Sequence, residues 1–581
     1  MREQRTERVL PARAGRLRDA DGGPTIGMLW GDFPWEGRSR KVGKLLSMGA
    51  VGRTTTRALR AAGRVEPFTV LERAVPEEAR RAALERFLTG ADLLFADVYG
   101  GTRAALELRH ELGLRCPAIL FAGGAMAKGA DAMLFPWQHL LRPGDGIWFT
   151  SRADQAIWRR LVRRSALREW VAPLGVDETL FRPRTEGDRL EARRRHGLPA
   201  SAPLLLAVGR LNVQKNLHTL LLLLAAVRER VPDARLCVVG EEDDIGLHEF
   251  GVLNTGYAAW LRTRAADLGV GEAVTFAGPQ FGEDLARLYA AADVLVSASV
   301  YHRENFGLAP AEAQACGVPV VCSAWNGFRD VVRHGETGYL MDAVLTRNGI
   351  RVDWASGAAH VVSLLTDGTR RADAGARAAA WAHERFGMPA LERSLGAMVK
   401  DALSGNALAD APASHPNDAA GRAYEPSAFA RRYESHKRAC GWYGATPQAR
   451  RAGSPRMFQG RDYRLYVRLM EPFASITAED LDAAAIAPRW IPYCASPVAL
   501  DEVRRLAEDR DPIWPHRRYC APLVWDVLCR VDGRASVGEI ADRVVADGML
   551  TPGVAPAAVA EALRGLHADG FILFRPVESS S

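Results

Sequence analysis

The sequence predicts an α/β fold with two consecutive domains, residues 25–172 and 173–404, followed by a small, mainly helical domain. In the first two domains, short apolar runs alternate with amphipathic stretches that have helical spacing. Strands that alternate with helices form parallel sheets, and the connecting helices cover both faces of such a sheet. After residue 404 the alternation stops and the composition changes. Two layered α/β domains and a distinct C-terminal region are therefore expected.

The first domain, residues 25–172, contains five apolar runs of the length expected for buried strands. These runs are residues 25–30, 65–71, 91–96, 118–122 and 146–150. The clearest amphipathic stretches between them are residues 79–88 and 102–112. Residues 1–24 are rich in Arg and lack the apolar core of a signal peptide, so they are predicted to form a disordered basic tail.

The second domain, residues 173–404, repeats the pattern. Its predicted strands are residues 203–208, 235–239, 273–277, 293–298 and 318–322. A final helical stretch occupies residues 388–403. Each domain thus supplies enough alternating strands and helices for a Rossmann-like parallel sheet.

The C-terminal region divides into a linker or irregular segment at 405–460, an irregular helical segment at 461–514 and a compact module at 515–577. The module is predicted to contain three helices and a strand, at residues 522–529, 536–545, 556–566 and 570–574. Three short helices followed by a strand resemble a winged helix or a peptide-binding PqqD-like domain. The phrases at 525–533 and 539–541 carry that resemblance. A module that only packs on the rest of the chain is an equally weighted alternative.

The composition is that of a globular protein, with 48% hydrophobic and 25% charged residues in 581 and a formal net charge of +7. Eight Cys residues show neither zinc-site nor disulfide-framework spacing, which favours a reducing compartment. Apolar runs such as 220–227 are too short to cross a bilayer. A cytoplasmic protein is expected.

Two carboxylates, Glu304 and Glu312, flank the predicted start of a helix. Pro310 suits the first helical turn, where its missing N–H costs nothing. A helix N-terminus presents backbone N–H groups to phosphate, and a carboxylate inside the helix can hold ribose hydroxyls. Glu is a common residue, so this pair alone is a weak signal for a nucleotide-sugar site.

A second element lies about ninety residues upstream, where the strand at 203–208 runs into Gly209 and residues 210–216. Gly209 permits a tight turn from strand to helix. Arg210 and Lys215 bring two cations to one crevice, where they can hold a diphosphate and neutralise it as it leaves.

Five segments in one order carry a resemblance to a known family: residues 171–183, 209–216, 238–240, 274–278 and 304–312. They resemble the retaining glycosyltransferases of the GT-B fold, in particular glycosyltransferase family 4, also called glycosyl transferases group 1. The resemblance covers residues 25–404 and is densest between 171 and 342. It implies two Rossmann-like domains that face each other across a cleft, with the nucleotide-sugar mostly on the second. It also implies that the helix at 388–403 returns to brace the first domain.

The resemblance assigns catalytic roles to Arg210, Lys215 and Glu304. Arg210 and Lys215 would grip the diphosphate, and Glu304 would hold a hydroxyl of the donated sugar. Glu312 would hold the ribose. The other implied donor-binding residues lie at strand ends and helix starts: Gly49, Gly209, Phe276, Gly278, Asn305, Phe306, Gly307 and Leu308.

Family members usually place a glycine before the long first helix, close to the phosphates. Gly49 fits that position best by its distance from Gly63, and Gly37 competes with it. The resemblance also implies a metal-independent enzyme with no cofactor beyond its nucleotide-sugar. The acidic pair Asp243 and Asp244 is interpreted as a turn, not as a metal site.

The sequence departs from the family pattern in two places. Members often carry a His near the donated sugar, but the matching stretch 121–128 has none. Either Lys128 or the backbone of Gly123 and Gly124 serves the sugar, or the acceptor geometry differs; His139 is out of register and is interpreted as structural. Where relatives often have Gly-Gly-x-x-Glu, this chain has residues 326–330, which still supply a tight turn and a carboxylate, Asp330.

Three hypotheses for function follow. The first is a retaining glycosyltransferase that moves a hexose-type sugar from a UDP- or GDP-sugar to an acceptor hydroxyl on a saccharide, natural product, lipid or peptide. The second is a recognition protein with an inactive GT-B fold, whose residues 515–577 bind a peptide or, less plausibly, nucleic acid. The third adds membrane-surface binding through basic faces at 38–60 and 159–164, which are more simply explained as solvated helix faces.

Overall fold

The fold is known from a computed structural model, which describes thirteen ranges of the chain. These are residues 23–30, 42–68, 76–98, 101–123, 134–135, 137–242, 256–301, 304–347, 349–404, 423–439, 468–478, 481–495 and 521–575. The predicted basic tail and the acidic pair at 243–244 lie outside these residues.

The first domain is built on a six-stranded parallel sheet of order β2-β1-β3-β4-β5-β7. The first seven strands are β1 (Thr25–Leu29), β2 (Arg64–Phe68), β3 (Leu93–Asp97), β4 (Ala118–Phe121), β5 (Gly146–Phe149), β6 (Val162–Ser165), which lies outside the sheet, and β7 (Arg168–Val171). The helices that connect them are Val42–Arg60, Glu77–Gly90, Thr102–Glu111 and Arg152–Leu161. The central strands β3, β4 and β5 are buried along their whole length, as their apolar sequences predict.

The second domain contains a six-stranded parallel sheet of order β10-β9-β8-β11-β12-β13. Its strands are β8 (Leu204–Val208), β9 (Arg235–Val239), β10 (Val274–Gly278), β11 (Val294–Ser297), β12 (Val320–Ser323) and β13 (Gly338–Met341). Its helices are Glu186–Arg195, Leu217–Arg228, Tyr257–Asp267, Gly282–Ala291, Leu308–Ala315, Phe328–Val331, Trp354–Thr366 and Gly368–Phe386. This strand order is that of a dinucleotide-binding Rossmann fold, which confirms the predicted α/β class.

A return helix, Met388–Ser404, leaves the second domain and packs on the first. Its buried residues Leu391, Leu395 and Met398 share one hydrophobic cluster with Val51 and Leu59 of the first domain. Trp170, in β7, donates its indole N–H to Asp401 at 2.9 Å. The helix therefore braces the first domain as expected, and it gives the two domains a common core.

Residues 423–439, predicted as part of a linker, are regular where the structure describes them. Strand β16 (Tyr424–Pro426) pairs antiparallel with β6, and helix Ala428–Ala439 packs on helix Arg152–Leu161. The side chain of Tyr424 is buried against Trp158, with ring centroids 5.1 Å apart. The prediction of a structureless linker is wrong for these residues because the pairing partner lies about 260 residues upstream, where no local pattern reveals it.

Residues 468–478 extend from the first domain to the second. Strand β17 (Ile476–Thr477) is added to a hairpin of β14 (Ala343–Thr346) and β15 (Gly349–Val352), which belongs to the second domain. Leu469, Met470 and Phe473 are completely buried, in a cluster that contains residues of both domains. We call residues 468–478 the bridging segment.

The C-terminal module contains the three predicted helices, Pro522–Cys529, Val537–Ala546 and Ala555–Ala568, and the terminal strand β19 (Ile572–Arg575). Strand β18 (Ile491–Cys494) pairs antiparallel with β19. The module therefore starts before residue 515, because a strand predicted to lie in an irregular segment completes it.

The module is docked on the second domain. Arg351 donates from Nε to the carbonyl of Gly570 at 2.7 Å, and Trp354 donates to the carbonyl of Cys494 at 3.0 Å. Val344, Tyr493 and Leu573 share a small core between the two units. This docking agrees with a packing role; binding of a peptide by residues 515–577 stays a prediction.

Among the described residues, no helix is both long and apolar enough to span a membrane. The basic face at 159–164 is largely neutralised by acidic partners. Arg159, Arg160 and Arg163 form ion pairs with Glu169, Glu471 and Glu425, respectively. This pairing weakens the case for a bilayer-binding face, since the charges already have partners.

Candidate functional site

The two sequence motifs meet at one edge of the second sheet. Strands β8 and β11 are neighbours, but the chain leaves β8 toward β9 on one side and leaves β11 toward β12 on the other. This is the point at which the strand order reverses, and ligands of such folds bind in the crevice beyond the carboxyl ends of these strands. Residues 209–216 follow β8, and residues 298–307 follow β11.

The turn after β8 places Lys215. Asn212 accepts a hydrogen bond from the backbone N–H of Lys215 at 3.2 Å, which caps a single 3₁₀ turn, Val213–Lys215. Asn216 then adopts a left-handed conformation, with φ of 52°, and donates from its amide to the carbonyl of Ala298 at 3.0 Å. Lys215 is thus held between two buried Asn side chains, one of which joins its turn to the end of β11.

Gly240 shows why the strand ends lie so close. A Cβ at Gly240 would lie 1.9 Å from the carbonyl oxygen of Gly209, so no other residue fits. The backbone N–H of Gly240 also donates to the carbonyl of Gly278 at 3.0 Å. The carboxyl ends of β8, β9 and β10 are therefore in direct contact.

Lys215 and Glu304 come together beyond the carboxyl ends of β8 and β11. The ammonium of Lys215 forms a short hydrogen-bonded ion pair with the Glu304 carboxylate, which also accepts from the hydroxyl of Ser299 at 2.9 Å. Burial raises the pKa of Glu304, but the charge and hydrogen bond of Lys215, the Ser299 hydroxyl and the charge of Arg210 outweigh it, and the net pKa is lowered. Glu304 is therefore a carboxylate at neutral pH.

Helix Leu308–Ala315 starts immediately beyond this pair. Gly307 precedes it with φ of 105°, and a Cβ there would lie 2.6 Å from the Phe328 ring, so the position requires glycine. Glu312 lies one turn inside the helix, as predicted, and accepts a hydrogen bond from the hydroxyl of Tyr289 at 2.9 Å. Burial raises the pKa of Glu312 to about 7, although the Tyr289 hydroxyl lowers it. The pKa values of the two motif carboxylates are thus shifted in opposite directions, and Glu312 takes up a proton at a higher pH than Glu304 does.

The first domain reaches the same loop through the end of β5. Asn305 donates from its amide to the Thr150 hydroxyl at 2.6 Å, and Thr150 donates to the carbonyl of Asn305 at 3.2 Å. Next to it, Ser151 donates to the side chain of Asn326 at 2.8 Å. The predicted donor-binding residue Asn305 therefore has a first-domain partner.

The remaining predicted residues occupy varied positions. Phe306 is buried against Phe386, with centroids 5.5 Å apart, so its side chain belongs to the core. Leu308 is the first residue of its helix. Phe276, in the edge strand β10, is covered by the guanidinium of Arg262 at 4.5 Å from its ring centroid. Gly278 ends the same strand with a left-handed φ of 67°.

Two first-domain expectations need correction. Helix Val42–Arg60 begins before Gly49, so Gly49 lies inside the long helix and does not precede it. Gly49 and Gly52 interrupt the helical spacing and conceal the true start; the competitor Gly37 lies outside the described residues. His139 is exposed, so it is not the satisfied structural histidine that the sequence suggests. Gly123 is described, whereas Gly124 and Lys128 are not.

The turn at 326–330 is as expected. Asn326 has a positive φ of 43°, and Asp330 accepts a hydrogen bond from the backbone N–H of Arg152 at 2.7 Å.

Sequence reasoning missed Ser299, Tyr289 and Thr150, which support the predicted carboxylates and Asn305. Ser299 and Thr150 each closely follow a buried strand, which is the only signal that points to them. Within the described residues, no three His, Cys, Asp or Glu side chains form a group that could hold a metal ion.

Part of the chain is similar in sequence to known proteins. The family model "Glycosyl transferases group 1" matches residues 188–381. The D-inositol 3-phosphate glycosyltransferase of Stackebrandtia nassauensis is 35% identical over 239 residues, 40% of this chain and 49% of that protein. The protein of the same name from Thermomonospora curvata is 42% identical over 194 residues, 30% of this chain and 42% of that protein. The chain thus spans about half the length of the curated relatives it matches.

The fold has a counterpart among solved structures. A glycosyltransferase from Rickettsia africae ESF-5 matches with a TM-score of 0.51 and 13% identity, covering 66% of this chain and all of that one. At this identity the match shows the fold alone, which is the GT-B arrangement of two parallel-sheet domains. Residues 188–381 of this chain are therefore similar to the glycosyl transferases group 1 family, within a chain that has the GT-B fold.

Proposed function

We propose that this protein is a retaining glycosyltransferase that transfers a hexose-type sugar from a UDP- or GDP-sugar to an acceptor hydroxyl without a metal ion. The contact between Lys215 and Glu304, at the point where the strand order of the second sheet reverses, carries the proposal. It brings a cation and an ionised carboxylate to the place where parallel α/β folds bind nucleotides.

Lys215 and Arg210 have the chemistry to hold the diphosphate. Both follow β8, and Arg210 lies close enough to Glu304 for its charge to lower the pKa of that carboxyl. The N-terminus of helix Leu308–Ala315 adds backbone N–H groups and a partial positive charge on the other side of the crevice. As the bond from the anomeric carbon to the diphosphate breaks, these groups would stabilise the charge that grows on the leaving oxygen.

Glu304 would orient the donated sugar by accepting a hydrogen bond from a hydroxyl. Its lowered pKa keeps it an acceptor at neutral pH, and its bonds to Lys215 and Ser299 fix its position. Glu312 would accept from the ribose. The new bond joins the anomeric carbon to the acceptor oxygen, and a donor phosphate oxygen takes the acceptor's proton, so the reaction balances without a separate protein base.

The names of the relatives suggest an acceptor class to test first. The relatives are named for D-inositol 3-phosphate. A polyol phosphate hydroxyl is therefore the first acceptor to test, ahead of saccharides, natural products, lipids and peptides.

The proposal predicts that the full-length protein binds and slowly hydrolyses a nucleotide-sugar. UDP-glucose and GDP-mannose would be screened by thermal shift, because a ligand that binds only the native state raises its melting temperature. We expect Lys215→Ala and Glu304→Ala to lower hydrolysis at least 100-fold, about 2.7 kcal/mol of transition-state stabilisation.

Exposed residues of the same types provide matched controls. Lys400→Ala and Glu384→Ala remove the same side chains from surface helices and should leave hydrolysis unchanged. Wild-type activity in both site variants, with folding intact, would show that the catalytic assignment is wrong. Chelation with EDTA should leave the rate unaltered if no metal takes part.

A further inference from the structure

The loop that carries Glu304 is hydrogen-bonded to a second loop, which follows β12. The indole N–H of Trp325 donates to the carbonyl of Tyr301 at 2.9 Å. The same carbonyl accepts the backbone N–H of Glu304 at 2.9 Å. One carbonyl therefore links the buried Trp325 to the backbone of the predicted sugar-binding residue.

A second bond fixes the start of the same loop. Ser323 donates from its hydroxyl to the carbonyl of Ser299 at 2.6 Å, and Ser299 in turn donates to the Glu304 carboxylate. Ser323, two residues before Trp325, is thus bonded to the backbone of a residue that itself holds this carboxylate. A displacement of Trp325 would be transmitted to Glu304 over two hydrogen bonds.

The bridging segment determines where Trp325 lies. The Phe473 ring packs edge-on against Trp325, with centroids 5.5 Å apart, and both side chains are fully buried. The carbonyl of Phe473 accepts the backbone N–H of Asn326 at 2.9 Å. Arg329 donates to the carbonyls of Pro472 and Ala474 at 3.2 and 3.0 Å. The turn after Trp325 is therefore held on this segment by three hydrogen bonds.

The bridging segment is itself anchored in both domains. Glu471 forms an ion pair with Arg160 of the first domain, at 2.7 Å. On the other side, Ser475 accepts the backbone N–H of Ala343 at 2.8 Å, and β17 pairs with β14 of the second domain. We call the loop that carries Glu304, described at residues 298–301 and 304–307, the donor loop. Its support thus comes from residues beyond 404, outside both predicted α/β domains and outside the matched residues 188–381.

We infer that Trp325 and Phe473 are positioning residues for the donated sugar. The chain beyond residue 404, which we call the C-terminal extension, sets the position of Glu304 through Phe473, Trp325 and the carbonyl of Tyr301. This inference rests on the proposed function, because it assumes that Glu304 meets the sugar. It gives the bridging segment a functional role in donor recognition. Neither residue touches the donor itself, and each acts through the loop.

The test is a difference between two ligands. Glu304 would contact the sugar and not the nucleotide, so a displaced loop should weaken binding of a nucleotide-sugar and spare the nucleotide diphosphate. Kd values would be measured by calorimetry for UDP-glucose and UDP, or for GDP-mannose and GDP if the wild type prefers guanine. A purely structural role would lower stability without changing the ratio of the two Kd values.

Trp325→Phe keeps the aromatic contact but removes the N–H that holds Tyr301. We expect the Kd for the nucleotide-sugar to rise about tenfold, or about 1.4 kcal/mol, with the Kd for the nucleotide diphosphate changed by less than about twofold, or about 0.4 kcal/mol. The matched control is Trp354→Phe, which also removes an indole N–H that donates to a carbonyl. In this case the bond joins the second domain to Cys494 of the C-terminal extension. That bond involves neither Trp325 nor the donor loop, so both Kd values should stay at wild-type levels.

Phe473→Leu tests the other end of the contact, with Phe571→Leu as a control for loss of a buried ring in the C-terminal module. We expect Phe473→Leu, but not Phe571→Leu, to raise the Kd for the nucleotide-sugar relative to the Kd for the nucleotide diphosphate. Equal ratios in Trp325→Phe, Phe473→Leu and both controls would overturn the inference while leaving the proposed function intact. A wild-type protein that binds neither nucleotide-sugar would overturn both.

Discussion

At the scale of single residues, Glu304 and Glu312 show how environment separates two identical side chains. Lys215, Ser299 and Arg210 lower the pKa of Glu304, whereas burial raises the pKa of Glu312 to about 7. A carboxyl with a lowered pKa adds stability that is present above its unfolded pKa and is lost as the pH falls through the lowered value. A carboxyl with a raised pKa behaves in the opposite way: its contribution is present below its unfolded pKa and is lost as the pH rises through the folded value.

These signs predict opposite effects of neutral isosteres on the free energy of unfolding. Glu312→Gln should gain stability relative to wild type as the pH rises from 5 to 8, on the order of 2–3 kcal/mol, because wild type must ionise a buried carboxyl. Glu304→Gln should be less stable than wild type throughout this range, because the half-buried Lys215 loses its ionic partner. The measurement is urea unfolding at several pH values.

Glu304→Gln and Glu312→Gln serve as controls for each other, because they make the same chemical change eight residues apart. If both variants follow the same pH dependence, the assigned charge states are wrong. The difference between Glu304→Gln and wild type should shrink only below the unfolded pKa of Glu, as the pH falls through the lowered pKa of Glu304.

At the scale of elements, the end of β5 is the first domain's point of contact with the donor loop. Thr150 exchanges two hydrogen bonds with Asn305, and the next two residues bond to Asn326 and Asp330. Ser151 also caps helix Arg152–Leu161 by accepting from the backbone N–H of Asp154 at 3.1 Å. One strand–helix junction therefore holds its own helix and touches two loops of the other domain.

Removal of the Thr150 hydroxyl should loosen the donor loop without unfolding the protein. Thr150→Val keeps the shape but leaves Asn305 without this partner, a loss of about 1–3 kcal/mol locally. We expect faster amide hydrogen exchange across residues 304–308. Thr337→Val, which loses a bond from the backbone N–H of Arg333 that is not part of this contact, should leave exchange at residues 304–308 unaltered. Equal exchange in both variants would contradict the importance of the contact.

The same elements show what a sequence can predict. Apolar strands such as β3 and β8 are predictable because burial on both faces leaves a continuous apolar run. Strand β7, with sequence REWV, escapes prediction because it is only partly buried and carries charged residues. Strands β16 and β17 pair with segments distant in the chain, and such pairing leaves no local pattern.

The site divides along similar lines. Lys215, Glu304 and Glu312 are predictable because their spacing matches a motif within contiguous sequence, and the structure brings Lys215 into contact with Glu304. Thr150 and Phe473 are not predictable from the sequence. Thr150 of the first domain contacts Asn305 of the second, and Phe473 of the bridging segment contacts Trp325 of the second. A contact between domains imposes no periodicity on either partner, so periodicity cannot reveal these residues.

At the scale of the whole molecule, the hydrophobic cores do not follow the domain boundaries. One cluster joins strands of both sheets through the return helix, and another joins the first domain to Trp325, Leu345 and the bridging segment. Units that share buried apolar surface lose it together when either unfolds. The two α/β domains and the bridging segment should therefore unfold as one cooperative unit.

Calorimetry of the full-length protein tests this cooperativity. Leu395, in the return helix, is completely buried in the cluster shared by the two domains. Leu395→Ala should lower stability by about 2–5 kcal/mol through lost burial and a residual cavity. We expect the transition that contains both domains to move to lower temperature as a whole. The control is Leu403→Ala, which truncates a partly exposed Leu of the same helix and should shift the transition far less. If Leu395→Ala split the transition, with one α/β domain melting early and the other at its original temperature, the domains would be thermodynamically separate despite their common core.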